Sequence, residues 1–227
     1  MGFFEGASGR LHYRYRPVEE ATMGLVLLPG TGQHSGHYHE FARRSNHAGI
    51  AVWMLDWAGQ GLSEGDPAAP PVLSDLVAGA AGLFAVARAE EPRLPLTLMG
   101  HSLGALTALA VLGATPTALD PALAANPAVP ADRFAGLVLC GTPSRALDDR
   151  SGSPARQLPP VLAVHGVDDR RTPIDPVRAW ARRCDSAELR EYADAGHDLL
   201  HERVRTRVTA DIVQWTQEIV AGPVRRP

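Results

Sequence analysis

Five apolar runs divide the chain, and each stops at a glycine or a polar residue. Gly24–Leu28 ends at Pro29-Gly30, Ile50–Leu55 at Asp56, Leu96–Met99 at Gly100, Leu137–Cys140 at Gly141, and Val161–Val164 at His165-Gly166. Short runs that are apolar on both faces fit parallel strands buried on both sides. Between them lie helical patterns at Tyr38–Ala48, Leu73–Arg88, Leu103–Leu112, Ile174–Arg183 and Leu199–Val220. Ser74 or Asp75 is the expected N-cap of the second. Leu103–Leu112 is small and apolar all round, which predicts a buried helix. Residues 3–16 carry two aromatic-rich runs around Gly6-Ala7-Ser8-Gly9, and the second alternates, as an antiparallel hairpin would. The more polar Leu189–Tyr192 is expected at the sheet edge. This alternation predicts an α/β fold: a mostly parallel sheet, covered by helices on both faces, with an N-terminal antiparallel hairpin.

The 227 residues show no internal repeat and no linker, so one domain spanning 1–227 is expected. Two Pro- and Ala-rich stretches, Thr115–Asp132 and Pro143–Pro160, read as surface excursions. The formal net charge of −3 provides no basic field for nucleic acid. Every basic residue is Arg, which excludes lysine Schiff-base and phosphate-loop chemistry. Two cysteines, Cys140 and Cys184, are too few for a disulfide framework or a cysteine metal site. The start Met-Gly-Phe-Phe-Glu-Gly fits neither a secretory nor a myristoylation signal, and no run is long enough to span a bilayer. A cytoplasmic protein without stable membrane insertion is expected.

The strongest chemical signal is Gly100-His101-Ser102-Leu103-Gly104, placed between a predicted strand and a predicted helix. A sharp turn there strains the serine backbone and lifts its hydroxyl above the carboxyl ends of the strands, where open α/β sheets bind ligands. A serine hydroxyl needs a base to become a nucleophile. His197 follows the last predicted strand on the same side of the sheet, with His201 as the other candidate. A carboxylate must orient the base, and Asp168 and Asp169 both follow the Val161–Val164 run. The chain order serine, aspartate, histidine is the one used for this constellation on a doubly covered parallel sheet.

Here the chain resembles the α/β-hydrolases, and among them the monoacylglycerol lipase and lysophospholipase-like group, the serine aminopeptidase S33 type. Pro29-Gly30-Thr31-Gly32-Gln33-His34-Ser35-Gly36-His37-Tyr38 looks like that group's H-G-x-G-E-H-S-x-R-Y. Asp56 to Ser63 is similar to D-x-x-G-H-G-x-S, and Gly100–Gly104 matches the nucleophile elbow. Gly166-Val167-Asp168-Asp169 matches G-x-x-D, which implies Asp169; Gly196-His197 followed by His201-Glu202 implies His197. The resemblance thus implies catalytic Ser102, Asp169 and His197, with the amides of Thr31 and Leu103 as an oxyanion hole. Gly30, His34, His101 and Trp57 are the expected substrate contacts. Pro29, Gln33 and Gln60 depart from the group's His, Glu and His.

The expected activity is hydrolysis of a small-molecule ester or thioester, without cofactor. Acyl transfer or cyclisation by the same residues is the alternative, as is a ligand-binding member of the fold without catalysis. His34, His37 and His39 would suit a metal, but no cysteine or paired carboxylate completes a ligand set, so no metal is expected. Arg170 and Arg171 are read as an anion site or as a solvated pair. Trp53 is expected in the core, and Cys184 as a small packing residue. The resembled group inserts a helical cap before the Val161 strand. Here about twenty residues rich in proline, Gly141–Pro160, make that connection. A minimal or absent lid is expected, with an open site and no sharp interfacial activation, unless Thr115–Asp132 folds over Ser102.

Overall fold

A computed structural model describes residues 1–116, 118–119, 123, 128–147 and 158–222. Eight strands form one sheet: β1 Gly2–Gly6, β2 Gly9–Arg16, β3 Met23–Leu28, β4 Ile50–Leu55, β5 Leu96–His101, β6 Gly136–Cys140, β7 Val161–Gly166 and β8 Ala187–Tyr192. Their order is β1-β2-β4-β3-β5-β6-β7-β8. β3 to β8 pair in parallel, whereas β2 runs antiparallel to both β1 and β4. Five helices complete the described fold: α1 His39–His47, α2 Leu73–Glu90, α3 Leu103–Val111, α4 Ile174–Ala181 and α5 Arg205–Ala221.

The two-faced apolar runs divide by alternation. Val26, Leu28, Leu98 and Leu139 pack toward α2 and α3, while Leu25, Leu27, Met99 and Val138 pack toward α1 and α5. Successive side chains leave a strand on opposite faces, so a sheet covered on both sides must be apolar at every position. Among the parallel strands only β8, paired on one side, carries a run of charges, Glu188, Arg190 and Glu191. The sheet order reverses around β3, which lies between β4 and β5. Loops leaving the carboxyl ends of β3 and β5 diverge there and open a crevice.

Local boundaries differ from expectation at two helices. Val72, after two prolines, is the N-cap of α2 and makes no side-chain cap bond; Ser74 and Asp75 lie inside the first turn. The last helix begins at Arg205, because Leu199–Val204 forms turns in which Leu199 and Leu200 are buried. The lid expectation rests on residues 148–157 and part of 115–132 (117, 120–122 and 124–127), which lie outside the described residues. No helix among the described residues is long and apolar enough to cross a membrane.

The Asp56–Ser63 stretch builds a buried knot beneath the crevice. Asp56 Oδ1 accepts the Ser35 amide at 2.6 Å, and Oδ2 accepts the Leu62 amide at 3.0 Å and lies 2.8 Å from His12 Nδ1. Burial opposes ionisation of this carboxyl, but the Leu62 amide, both Ser35 donors and His12 outweigh it and hold it below the usual range. The knot fixes the loop that carries residues 30–38 to the end of β4.

Candidate active site

β5 ends at His101 and α3 begins at Leu103, which leaves Ser102 alone in the turn, at φ 52° and ψ −110°. Positive φ is strained for a residue with a Cβ, at a cost of about 1–3 kcal/mol. The Ser102 amide donates to the Cys140 carbonyl at 2.9 Å and so ties the turn to β6. The flanking glycines allow the close approach. A Cβ on Gly100 would overlap the Gly104 carbonyl, and one on Gly104 would overlap the Leu28 carbonyl of β3. Because the obstacle is backbone in a sheet, it cannot move aside. Gly104→Ala is expected to destabilise the fold by about 3 kcal/mol or more, lowering Tm by about 2–4 °C per kcal/mol. Gly32→Ala, at φ +72° with no atom within 4 Å of the added Cβ, meets only the left-handed backbone penalty. Thermal melts of the two variants check this; equal losses would count against the steric reading.

His197 Nε2 lies 2.8 Å from Ser102 Oγ, and its Nδ1 lies 2.7 Å from Asp169 Oδ2. Asp169 Oδ2 also accepts the Thr172 hydroxyl at 2.5 Å, and Oδ1 accepts the amides of Arg171 and Thr172, each at 2.9 Å. Burial opposes the charge on Asp169, but the two Thr172 donors and His197 outweigh it and hold the carboxyl below the ordinary aspartate range. Asp168 is exposed. His201 Nε2 donates to the His37 carbonyl at 3.1 Å instead of meeting Ser102. The His197 loop is clamped by Glu202, whose carboxylate accepts the Gly196 amide at 2.7 Å and the Asp198 amide at 3.0 Å.

Of the expected oxyanion donors, the Leu103 amide opens α3, and Thr31 follows β3 on the opposite wall of the crevice. Neither amide donates to a protein acceptor among the described residues. Gly30 and His101 line the same cleft. His101 is buried, and its Nε2–H donates to the His197 carbonyl at 3.1 Å. Burial pushes its imidazole down to about 4, so it is neutral near pH 7. Gln33 accepts the Tyr38 hydroxyl at 2.5 Å and donates to Asp198 Oδ1 at 3.2 Å. A glutamate at position 33 would set two carboxylates face to face; the amide removes that repulsion.

Two expected contacts lie elsewhere. Trp57 is buried in the core cluster under α2, and its indole N–H donates to the Pro29 carbonyl at 2.9 Å. It braces the loop after β3 from behind. His34 caps the 3-10 turn Ser35–Tyr38, accepting the Gly36 amide at 3.2 Å, and its ring packs on His37 with centroids 4.1 Å apart. His37 Nδ1 accepts the His34 amide, and His39 Nδ1 bonds the Gly36 carbonyl, so these rings serve the turn. Trp53 is fully buried, stacked on Tyr15. Sequence reasoning missed Thr172, Glu202 and the Tyr38–Gln33 bond. The spacing of Thr172 three residues after Asp169, an Asp-turn pattern, was the available signal for the first.

The cleft above Ser102 encloses about 430 Å³. A serine in a strained elbow, a histidine–carboxylate pair and free amides at the switch point of a doubly covered sheet define an α/β-hydrolase. Residues 19–147 match the family described as "Serine aminopeptidase, S33", and the chain belongs to that family. It is similar to the monoacylglycerol lipase of Mycolicibacterium smegmatis, 26% identical over 265 residues covering 93% of this chain and 95% of the relative. That alignment is longer than the chain itself, so the relative carries segments that are missing here. Among solved structures, the monoacylglycerol lipase of Paleococcus ferrophilus superposes with a TM-score of 0.66 at 19% identity, over 93% of this chain and 98% of the other. A thermostable carboxyl esterase from Bacillus coagulans gives 0.73 at 15% identity, over 96% and 97%. These structural likenesses establish the fold.

Proposed function

We propose that the protein is a carboxylic ester hydrolase that works through an acyl-enzyme on Ser102, within one domain, on a small ester or thioester. The carrying observation is the continuous path from Ser102 Oγ to His197 Nε2 at 2.8 Å and from His197 Nδ1 to Asp169 at 2.7 Å. His197 takes the hydroxyl proton as Oγ attacks the acyl carbon. The Leu103 and Thr31 amides hold the oxyanion, and each such donor lowers the barrier by about 3 kcal/mol. As the tetrahedral intermediate collapses, His197 delivers its proton to the leaving alcohol or thiol. Water, deprotonated by the same imidazole, then attacks the acyl-enzyme, and Ser102 is regenerated with release of the acid. Asp169 holds the ring with Nδ1 protonated, which keeps Nε2 free to accept. The resemblance to relatives named as monoacylglycerol lipases favours an ester over other acyl groups.

The test is turnover of p-nitrophenyl acetate and butyrate, together with fluorophosphonate labelling mapped by peptide mass. Hydrolysis with the label on Ser102 is expected. An inert protein whose Ser102 stays unlabelled would sink the proposal and leave a ligand-binding member of the fold.

A further inference from the structure

Two guanidinium groups stand at the rim of the cleft that holds Ser102. Arg145 sits in the short 3-10 turn Ser144–Ala146 after β6, and Arg171 follows Asp169 after β7. Both are exposed, and neither forms an ion pair among the described residues. Neither nearby carboxylate of the site pairs with them: Asp169 accepts four hydrogen bonds within 3 Å, and Asp198 is bonded by Gln33. The described cleft wall therefore sets two guanidinium groups against one carboxylate, Asp198, and a concave wall concentrates such a field.

The sheet order gives that charge a direction. Thr31 follows β3 on one side of β5, whereas Arg145 and Arg171 follow β6 and β7 on the other. A substrate whose carbonyl oxygen meets the Thr31 amide thus extends its remote end toward the two arginines. Among the described residues, Pro143 is the one bulky apolar side chain on the cleft wall. On that described wall a long alkyl chain would find little surface against which to gain the ~0.8 kcal/mol of each buried methylene. A carboxylate or a phosphate would find two forks suited to bidentate contact.

Building on the ester hydrolase reading, we propose that the substrate carries an anionic group, a carboxylate or a phosphate, held by Arg145 and Arg171. Two matched pairs of esters test it. On the acyl side, the mono-p-nitrophenyl ester of adipic acid is compared with its methyl-capped neutral form. On the alcohol side, 1-butyrylglycerol 3-phosphate is compared with 1-butyrylglycerol. In at least one pair, kcat/KM for the anion is expected to exceed that of its neutral partner by about tenfold, the effect of one retained charge-assisted contact. Which pair responds shows on which side of the scissile bond the anion lies.

The double variant Arg145→Gln/Arg171→Gln is expected to bring that ratio to about one, and added salt to compress it. Arg170→Gln, exposed but outside the cleft wall, is expected to keep it. Neutral esters turned over as well as or better than the anions in both pairs would overturn the proposal. Loss of the ratio in Arg170→Gln as large as in the double variant would also overturn it, because general surface charge would then explain the preference. No turnover of any of the four, with Ser102 unlabelled by fluorophosphonate, would overturn the ester hydrolase reading itself.

Discussion

Ser102→Ala is expected to lower kcat for p-nitrophenyl butyrate by about 10⁴- to 10⁶-fold. The variant loses the one oxygen that His197 Nε2 faces at 2.8 Å, and the acyl-enzyme route goes with it. The Leu103 and Thr31 amides stay in place, so a residual rate above that in water should survive. Stability offers a second readout at the same position. Alanine keeps a Cβ at φ 52° and so keeps the strain, whereas Ser102→Gly releases it. Ser102→Gly is therefore expected to be the more stable of the two by about 1 kcal/mol, and equally inactive. Initial rates and thermal melts of both variants check this pair of results. More than a tenth of wild-type kcat in either variant would show that another group attacks the substrate.

Much of this site is legible in the sequence because its parts are tied to strand ends. Apolar runs that stop at Gly100, Gly141 and Gly166 mark the places where the backbone leaves the sheet, and the chemistry collects there. The elbow is legible for a further reason: two glycines that flank a serine report a backbone crossing in which no Cβ fits. The supporting contacts are a different matter. Glu202 reaches back to two amides across a turn, and Tyr38 reaches Gln33 only because the 3-10 turn at Ser35–Tyr38 folds its ring back toward the loop after β3. Neither contact has a periodicity. Trp57 shows the same limit in reverse, since its position beside Asp56 suggests the cleft while its side chain turns under α2. The α5 boundary misled because Leu199 and Leu200 continue an apolar pattern whose burial comes from a packed turn.

Asp169→Asn is expected to lower kcat by about 10⁴-fold, whereas Asp168→Asn should change it by less than about twofold. The asymmetry follows from the donors around each carboxyl. Asp169 Oδ1 accepts two amides, from Arg171 and Thr172, so an asparagine there must turn its carbonyl oxygen toward them. Its NH₂ group then takes the place of Oδ2 and points at His197 Nδ1. A donor facing Nδ1 selects the tautomer in which Nδ1 accepts and Nε2 carries the hydrogen. In that state Nε2 cannot take the Ser102 proton, although every atom keeps its place. Asp168 is exposed and touches none of these groups with its side chain. The pH dependence of stability gives an independent check. The folded pKa of Asp169 is depressed, so its contribution is present above the unfolded value of about 3.9 and is lost as pH falls through the lower folded value. The Tm gap between wild type and Asp169→Asn should therefore narrow as the pH falls below about 4. A gap that widens as the pH falls below about 4, or a larger activity loss in Asp168→Asn, would remove Asp169 from the role of orienting acid.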